Sequence, residues 1–253
     1  MSSSEKPFFV GYLAVPKPLV PILLTVAFGA IAAFCVLAFA VGATQDDPGD
    51  GRFRFDFGQQ TVTGVMELQP YPMLHVTSGT ERIAPGETLL MSGAGKFGVA
   101  EKAGPLAGQG AKVTGIILNR GTIQMLQVPN MNRDIVPAES TADVPDPVDL
   151  GKWRLSGEIC DGKCVSGAMR PGRGLAHKAC AELCLVGGVP PVFVTTEPVE
   201  GFEFLLIGSA DGGPLPEALQ AKVGVYISLE GRIETRGSMA VFLAEESTLE
   251  VLP

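Results

Sequence analysis

The sequence predicts a mainly β protein in which one N-terminal transmembrane helix is followed by two tandem small β-barrels of the OB type. Three observations predict it. A long uncharged apolar stretch opens the chain, short apolar runs separated by Gly or Pro fill the remainder, and part of that remainder recurs at a constant shift. The 253 residues include 32 Gly and 20 Pro, which favours tight connections between strands over a helix bundle. A formal net charge of −8 and a sequence pI near 4.9 give no electrostatic pull toward phosphates, so nucleic acid is not an expected partner.

The span comes first. No charged residue lies between Pro18 and Gln45, and Leu19 to Ala43 is almost wholly Leu, Val, Ile, Ala, Phe and Gly. At about 1.5 Å per residue such a helix reaches roughly 37 Å, enough for a hydrocarbon core of about 30 Å. Pro16, Pro18 and Pro21 sit where a missing amide N–H costs nothing, and Thr44 to Gly49 ends the helix. A cleaved signal peptide is the rival reading, because Ala38-Phe39-Ala40 has cleavage-site spacing, but signal cores run only about 7–15 residues. Lys6 and Lys17 precede the span, and Asp46, Asp47 and Asp50 follow it. The positive-inside bias then leaves residues 1–18 in the cytoplasm, and everything after the span lies in the periplasm of a bacterial cytoplasmic membrane. Phe8, Phe9, Tyr12 and Leu13 would line the inner interface, and Cys35 reads as a small apolar filler within the span.

Beyond the span, Thr61–Met66, Thr88–Met91, Val113–Leu118 and Ile123–Val128 have strand length and strand composition. Residues Gly115 to Ile123 align with Gly231 to Met239 at a shift of 116, each holding an Arg-Gly turn between apolar strands. Upstream, Thr88–Gly93 echoes Phe204–Ser209, and Ala-Lys-Val occurs at Ala111–Val113 and again at Ala221–Val223. The reading is a duplicated domain, with copies over 52–128 and 152–252 joined by a Pro-rich, acidic linker over 129–151, each copy folding by itself. Paired β-sandwiches are the runner-up. Short helices are expected only near Gly174–Cys184 and Pro216–Ala221. Gly93-Ala94-Gly95-Lys96-Phe97-Gly98 fits the dinucleotide fingerprint as a string, yet Gly104, Pro105, Gly108 and Gly110 forbid the long helix that fingerprint requires. It reads as a glycine turn.

Four of the five cysteines and one of the two histidines fall within one loop: Cys160, Cys164, His177, Cys180 and Cys184. The first copy has no cysteine, so the barrel itself does not require them. Three readings stay open. Two disulfides suit an extracytoplasmic compartment. A metal site suits thiolates with an imidazole, which favour Cu(I), zinc or an iron–sulfur cluster, and His177, Cys180 and Cys184 share one face if the segment is helical. A catalytic dithiol is the third. From Lys152 to Lys178 six basic residues stand against two acidic ones, a patch expected to lower thiol pKa values or attract an acidic partner. His75 stands alone and reads as a surface or partly buried residue.

Gly157-Glu158-Ile159-Cys160-Asp161, His177-Lys178-Ala179-Cys180-Ala181-Glu182-Leu183-Cys184 and Gly187-Gly188-Val189-Pro190-Pro191 together resemble a module of uncharacterised bacterial exported proteins. Its pattern is roughly G-x-[IV]-x-D-x-x-C, H-x-x-C-A-x-x-C, G-G-x-P-P, and the resemblance covers about residues 156–195. Cys164 matches the single early cysteine of that pattern, and Cys160 is extra. The resemblance implies that the loop is a unit and implies no activity.

No Ser/His/Asp grouping or paired-carboxylate constellation is legible, so no catalytic residue is assigned. The expectation is a non-enzymatic accessory subunit that docks onto a membrane redox complex of other membrane-protein subunits. Its Cys/His loop is stapled or metal-bearing. A periplasmic copper-handling or thiol-redox protein is the alternative.

Overall fold

The computed structural model describes residues 15–44, 49–140 and 142–253, and the chain divides into two compact units, Met1–Asp47 and Pro48–Pro253. Lys6, Phe8, Phe9, Tyr12, Leu13, Asp46 and Asp47 lie outside the described residues. In the first unit one 3₁₀ turn, Lys17–Leu19, leads into helix α1, Val20–Thr44. The 27 residues Lys17–Ala43 are long and apolar enough to cross a membrane. Large side chains such as Phe28, Phe34 and Phe39 are exposed along the helix, as a lipid-facing surface requires.

The second unit is two closed five-stranded barrels in tandem. The first uses β1 (Gln60–Glu67), β2 (Met73–Ser78), β3 (Thr88–Gly93), β4 (Gly110–Arg120) and β5 (Ile123–Val128). The second uses β6 (Val148–Asp161), β7 (Pro191–Val199), β8 (Phe202–Ser209), β9 (Tyr226–Arg236) and β10 (Met239–Ala244). In each the strand order is first, second, third, fifth, fourth and back to the first, with the third and fifth parallel and all other pairs antiparallel. That is OB topology.

The duplication holds at the level of register. β4 and β5 map onto β9 and β10 at a shift of 116, and the parallel pair Leu90–Met125 becomes Leu206–Val241. Gly115 and Gly231 share a reason as well as a position: a Cβ on either would collide with the carbonyl oxygen of the opposing strand, Gln127 in one barrel and Leu243 in the other. The Ala-Lys-Val echo is not part of this correspondence, because Ala111–Val113 lies in β4 while Ala221–Val223 follows a one-turn helix, Glu217–Gln220.

Alternation along the strands explains the continuous apolar runs. In β5, Leu126 and Val128 enter the first barrel's core, while Ile123 and Met125 point outward. In β10, Ala240, Phe242 and Ala244 fill the second core, while Met239, Val241 and Leu243 point outward. The outward sets meet. With Met73, Leu90 and Leu118 from one side and Cys160, Val192, Phe204 and Leu206 from the other, they form a third apolar core between the barrels. Each fully buried aliphatic side chain there contributes about 1.5–3 kcal/mol.

Polar contacts rim this interface. Ser238 Oγ accepts the Thr88 N–H at 2.7 Å, and the Ser238 N–H donates to Thr88 Oγ1 at 3.1 Å. Arg236 pairs with Glu67 and donates to the Gln69 carbonyl at 2.7 Å, and His75 sits 2.7 Å from Glu67 Oε2. His75 is therefore a buried member of the rim rather than a solitary surface residue.

The stretch expected as a linker is mostly structured. The Asn130 side chain caps a one-turn helix, Met131–Asp134, and Ile135–Pro137 pairs with β4 while Ile135 is buried in the first core. β6 already begins at Val148, paired with Thr235. Only about residues 138–147 remain as connection, and the two copies form one compact unit over Pro48–Pro253. Separating the copies would uncover these outward faces. A fragment of residues 49–147 is expected to self-associate and bind an apolar dye, whereas residues 49–253 stay monomeric. Sedimentation of the two fragments checks this, and a monomeric short fragment overturns it.

Candidate metal centre

β6 ends at Asp161 and β7 begins at Pro191, so the cysteine loop is an insertion in the connection between the first two strands of the second barrel. The matching connection in the first barrel runs only from Leu68 to Pro72. The inserted chain makes a tight helical turn at Cys164–Ala168, a 3₁₀ turn at Leu175–His177 and helix α2, Lys178–Val186. Ala, Lys, Glu and Leu favour α2, and Gly187-Gly188 stops it, with the Val189 N–H returning to the Cys184 carbonyl at 3.0 Å. Cys180 and Cys184 are one turn apart on its inner face.

That spacing, with the turn at Cys164 placed opposite, brings three thiols to one point. The sulfurs of Cys164, Cys180 and Cys184 all lie within 4.8 Å of one another. Asp161, Cys164 and His177 form a second group by the same measure, sharing Cys164 with the first. Asp161 is wholly buried and organises both loop ends: Oδ1 accepts the Cys164 N–H at 2.8 Å, and Oδ2 is 3.1 Å from His177 Nε2. His177 thus approaches Cys164 together with Asp161, beside the three-thiol group.

Cys160 lies elsewhere. It is buried in the core between the barrels, where loss of hydration, reinforced by Glu158 and Asp161, pushes its thiol pKa well up. It packs there as a neutral residue. The two-disulfide framework is not formed: all four loop cysteines are free thiols, and Cys160 belongs to a different cluster from the other three.

The first barrel closes over the site. The glycine turn after β3 presses on the end of α2, with the Gly98 N–H donating to the Gly187 carbonyl at 2.8 Å. A Cβ on Gly98 would strike Gly188 O, and one on Gly187 would strike Lys96 O, so glycine is required on both sides of this contact. Two lysines cross it in opposite directions. Lys163 Nζ donates to the Gly93 and Gly95 carbonyls, each at 2.7 Å, and its burial lowers its pKa. Lys96 Nζ lies 2.7 Å from Cys180 Sγ and 3.5 Å from Cys184 Sγ, and the Cys180 contact raises its pKa.

These are the cations that meet the thiols. The basic patch expected from composition is largely neutralised pairwise: Lys152 with Glu245, Arg154 with Glu230 and Glu250, Arg170 with Asp50, Arg173 near Glu158, and Lys178 with Glu182. Within the thiol group the Cys164 hydrogen bond, helped by Lys96, lowers the pKa of Cys184 against its burial. Cys164, donating that bond while buried beside Asp161, is shifted upward.

Asp161, Lys96 and Lys163 have no place among the candidate site residues read from the sequence. Asp161 and Lys163 stand between Cys160 and Cys164, and that position was a signal; Lys96 belongs to the distant Gly93–Gly98 turn, and nothing local tied it to the thiols. No family model matches the chain, and no curated protein and no solved structure matches it.

Lys96→Gln removes a cation that favours the Cys184 thiolate, so in reduced, metal-free protein the thiolate is expected to form at higher pH. Ultraviolet thiolate absorbance at neutral pH then falls in the variant. An unchanged titration would exclude Lys96 as a determinant of thiol ionisation.

Proposed function

We propose that this chain is a membrane-anchored, periplasmic accessory subunit of a membrane redox complex, holding a thiophilic metal ion, Cu(I) or Zn(II), on Cys164, Cys180 and Cys184. The observation that carries the reading is the convergence of those three sulfurs within 4.8 Å. Sulfurs bound at about 2.3 Å to one tetrahedral ion lie roughly 3.8 Å apart, within that limit. Soft thiolates select such ions, and the buried Asp161–His177 pair beside Cys164 holds the loop in place as outer partners commonly do. His177 and Asp161, which group with Cys164, are the further donors for an ion that takes a fourth ligand.

Anchoring rests on the apolar helix, and orientation on Lys6 and Lys17 before it against Asp46, Asp47 and Asp50 after it. Docking to other membrane-protein subunits is supported by the single anchor and the paired barrels. A second reading, copper handling by transfer to a partner, is favoured by one observation: Cys180 is half-exposed while Cys164 and Cys184 are buried, which gives a competing thiolate one point of entry.

The test uses the full chain purified in detergent under reducing conditions. One equivalent of Cu(I) or Zn(II) is expected in the native chain and none in Cys164→Ser or Cys184→Ser, while Cys160→Ala retains metal at a stability cost of about 1 kcal/mol. Metal loading should also raise the melting temperature. Absence of stoichiometric metal, or its retention in both serine variants, sinks the reading. A reporter fused after Pro253 should be active on the outer side of the membrane only. Fast loss of the ion to a small dithiol, against slow loss, separates carrier from resident centre.

A further inference from the structure

We propose that Lys96 and Cys180 form a modification site, at which dioxygen joins Lys96 Nζ to Cys180 Sγ through a single bridging oxygen. The separation of these two atoms, 2.7 Å, is the starting observation. N–H···O bonds span about 2.7–3.2 Å, and sulfur is a larger, weaker acceptor, so a simple hydrogen bond to it runs longer. An N–O and an O–S single bond meeting at one oxygen hold nitrogen and sulfur at about the observed distance.

The approach is fixed rather than incidental. Lys96 Nζ also donates to the Cys180 carbonyl at 3.2 Å, the Lys96 carbonyl is pressed against Gly187, and the Gly93 N–H closes the turn onto the Phe97 carbonyl at 2.7 Å. Cys180 is the half-exposed thiol of the three, so it is the one an oxidant reaches first. Cys164 and Cys184, whose sulfurs lie within 4.8 Å, are the competing partners, and Lys96 Nζ is nearer Cys180 Sγ than Cys184 Sγ, 2.7 Å against 3.5 Å.

The step balances. Sulfur and nitrogen together carry three hydrogens, counted either as thiol plus amine or as thiolate plus ammonium. One stays on nitrogen, and two leave as water with the second oxygen atom. Sulfur and nitrogen each lose two electrons, and dioxygen accepts all four. The product ties the glycine turn of the first barrel to α2 of the second and removes Cys180 as a free thiolate. The proposal does not depend on metal binding, because a chain that binds no metal still presents the same two atoms.

The experiment takes the full chain in detergent, stripped with a chelator, and divides it between aerated buffer and buffer with dithiothreitol. Both samples are digested and analysed by mass spectrometry. The expected result is a pair of peptides joined through Lys96 and Cys180, heavier than their sum by one oxygen less two hydrogens (about 14 Da), present only in the aerated sample and split by reductant. Lys96→Arg and Cys180→Ser should lack it. Recovery of Cys180 from the aerated native chain as a free thiol, in a disulfide, as a sulfenic or sulfinic acid without Lys96, or joined to nitrogen without oxygen overturns the proposal. The native chain alone decides, so a poorly folded variant does not obscure the outcome.

Discussion

The apolar core between the barrels is the constraint on which the remainder of the two-barrel unit depends. Strands β3, β5, β8 and β10 carry apolar side chains on both faces, and one face of each can be buried only against the other barrel. Water therefore drives the two copies together through their outward faces, and the Thr88–Ser238 and Glu67–Arg236 contacts fix the register of that union. Because related strands supply both sides, the duplication provides an interface as well as a second barrel.

Once the barrels are joined, the position of the glycine turn follows. The turn extends directly from β3, a strand of the interface, so it meets whatever the second barrel places beside it. The second barrel places the inserted cysteine loop there. Close backbone approach leaves no room for a Cβ at Gly98 or Gly187, and beside that contact the Lys96 and Lys163 side chains cross from one barrel to the other. A loop belonging to one barrel is thus completed electrostatically by the other. Loss of the interface would change the thiols' surroundings without touching a cysteine.

Within the loop, burial sorts four chemically identical side chains into different roles. Cys160, at the end of a strand facing the interface, is held neutral in an apolar setting. Cys164 and Cys184 share a hydrogen bond in a buried group, with Asp161 on one side and Lys96 on the other. Cys180, half-buried on the inner face of α2, contacts Lys96 and still reaches solvent. Sequence spacing treats the four alike; environment separates them.

The long apolar helix, the β class, the tandem OB-like barrels and the glycine turn were legible in the sequence because each is a local or periodic property. A charge-free apolar run of this length reads as one continuous helix, strand alternation and turn residues are read from neighbours, and a shift of 116 survives as identity at Gly115 and Gly231, where a backbone carbonyl forbids a side chain. The grouping of Cys164, Cys180 and Cys184 was half legible, since a helical face brings the last two together but says nothing of what stands opposite. Only the tertiary structure decided that Cys160 lies apart, that Asp161 holds the loop, that residues 129–137 belong to the first barrel and that Lys96 meets Cys180. Those outcomes depend on contacts between residues far apart in the chain, set by which apolar faces find each other, and no local pattern encodes that choice.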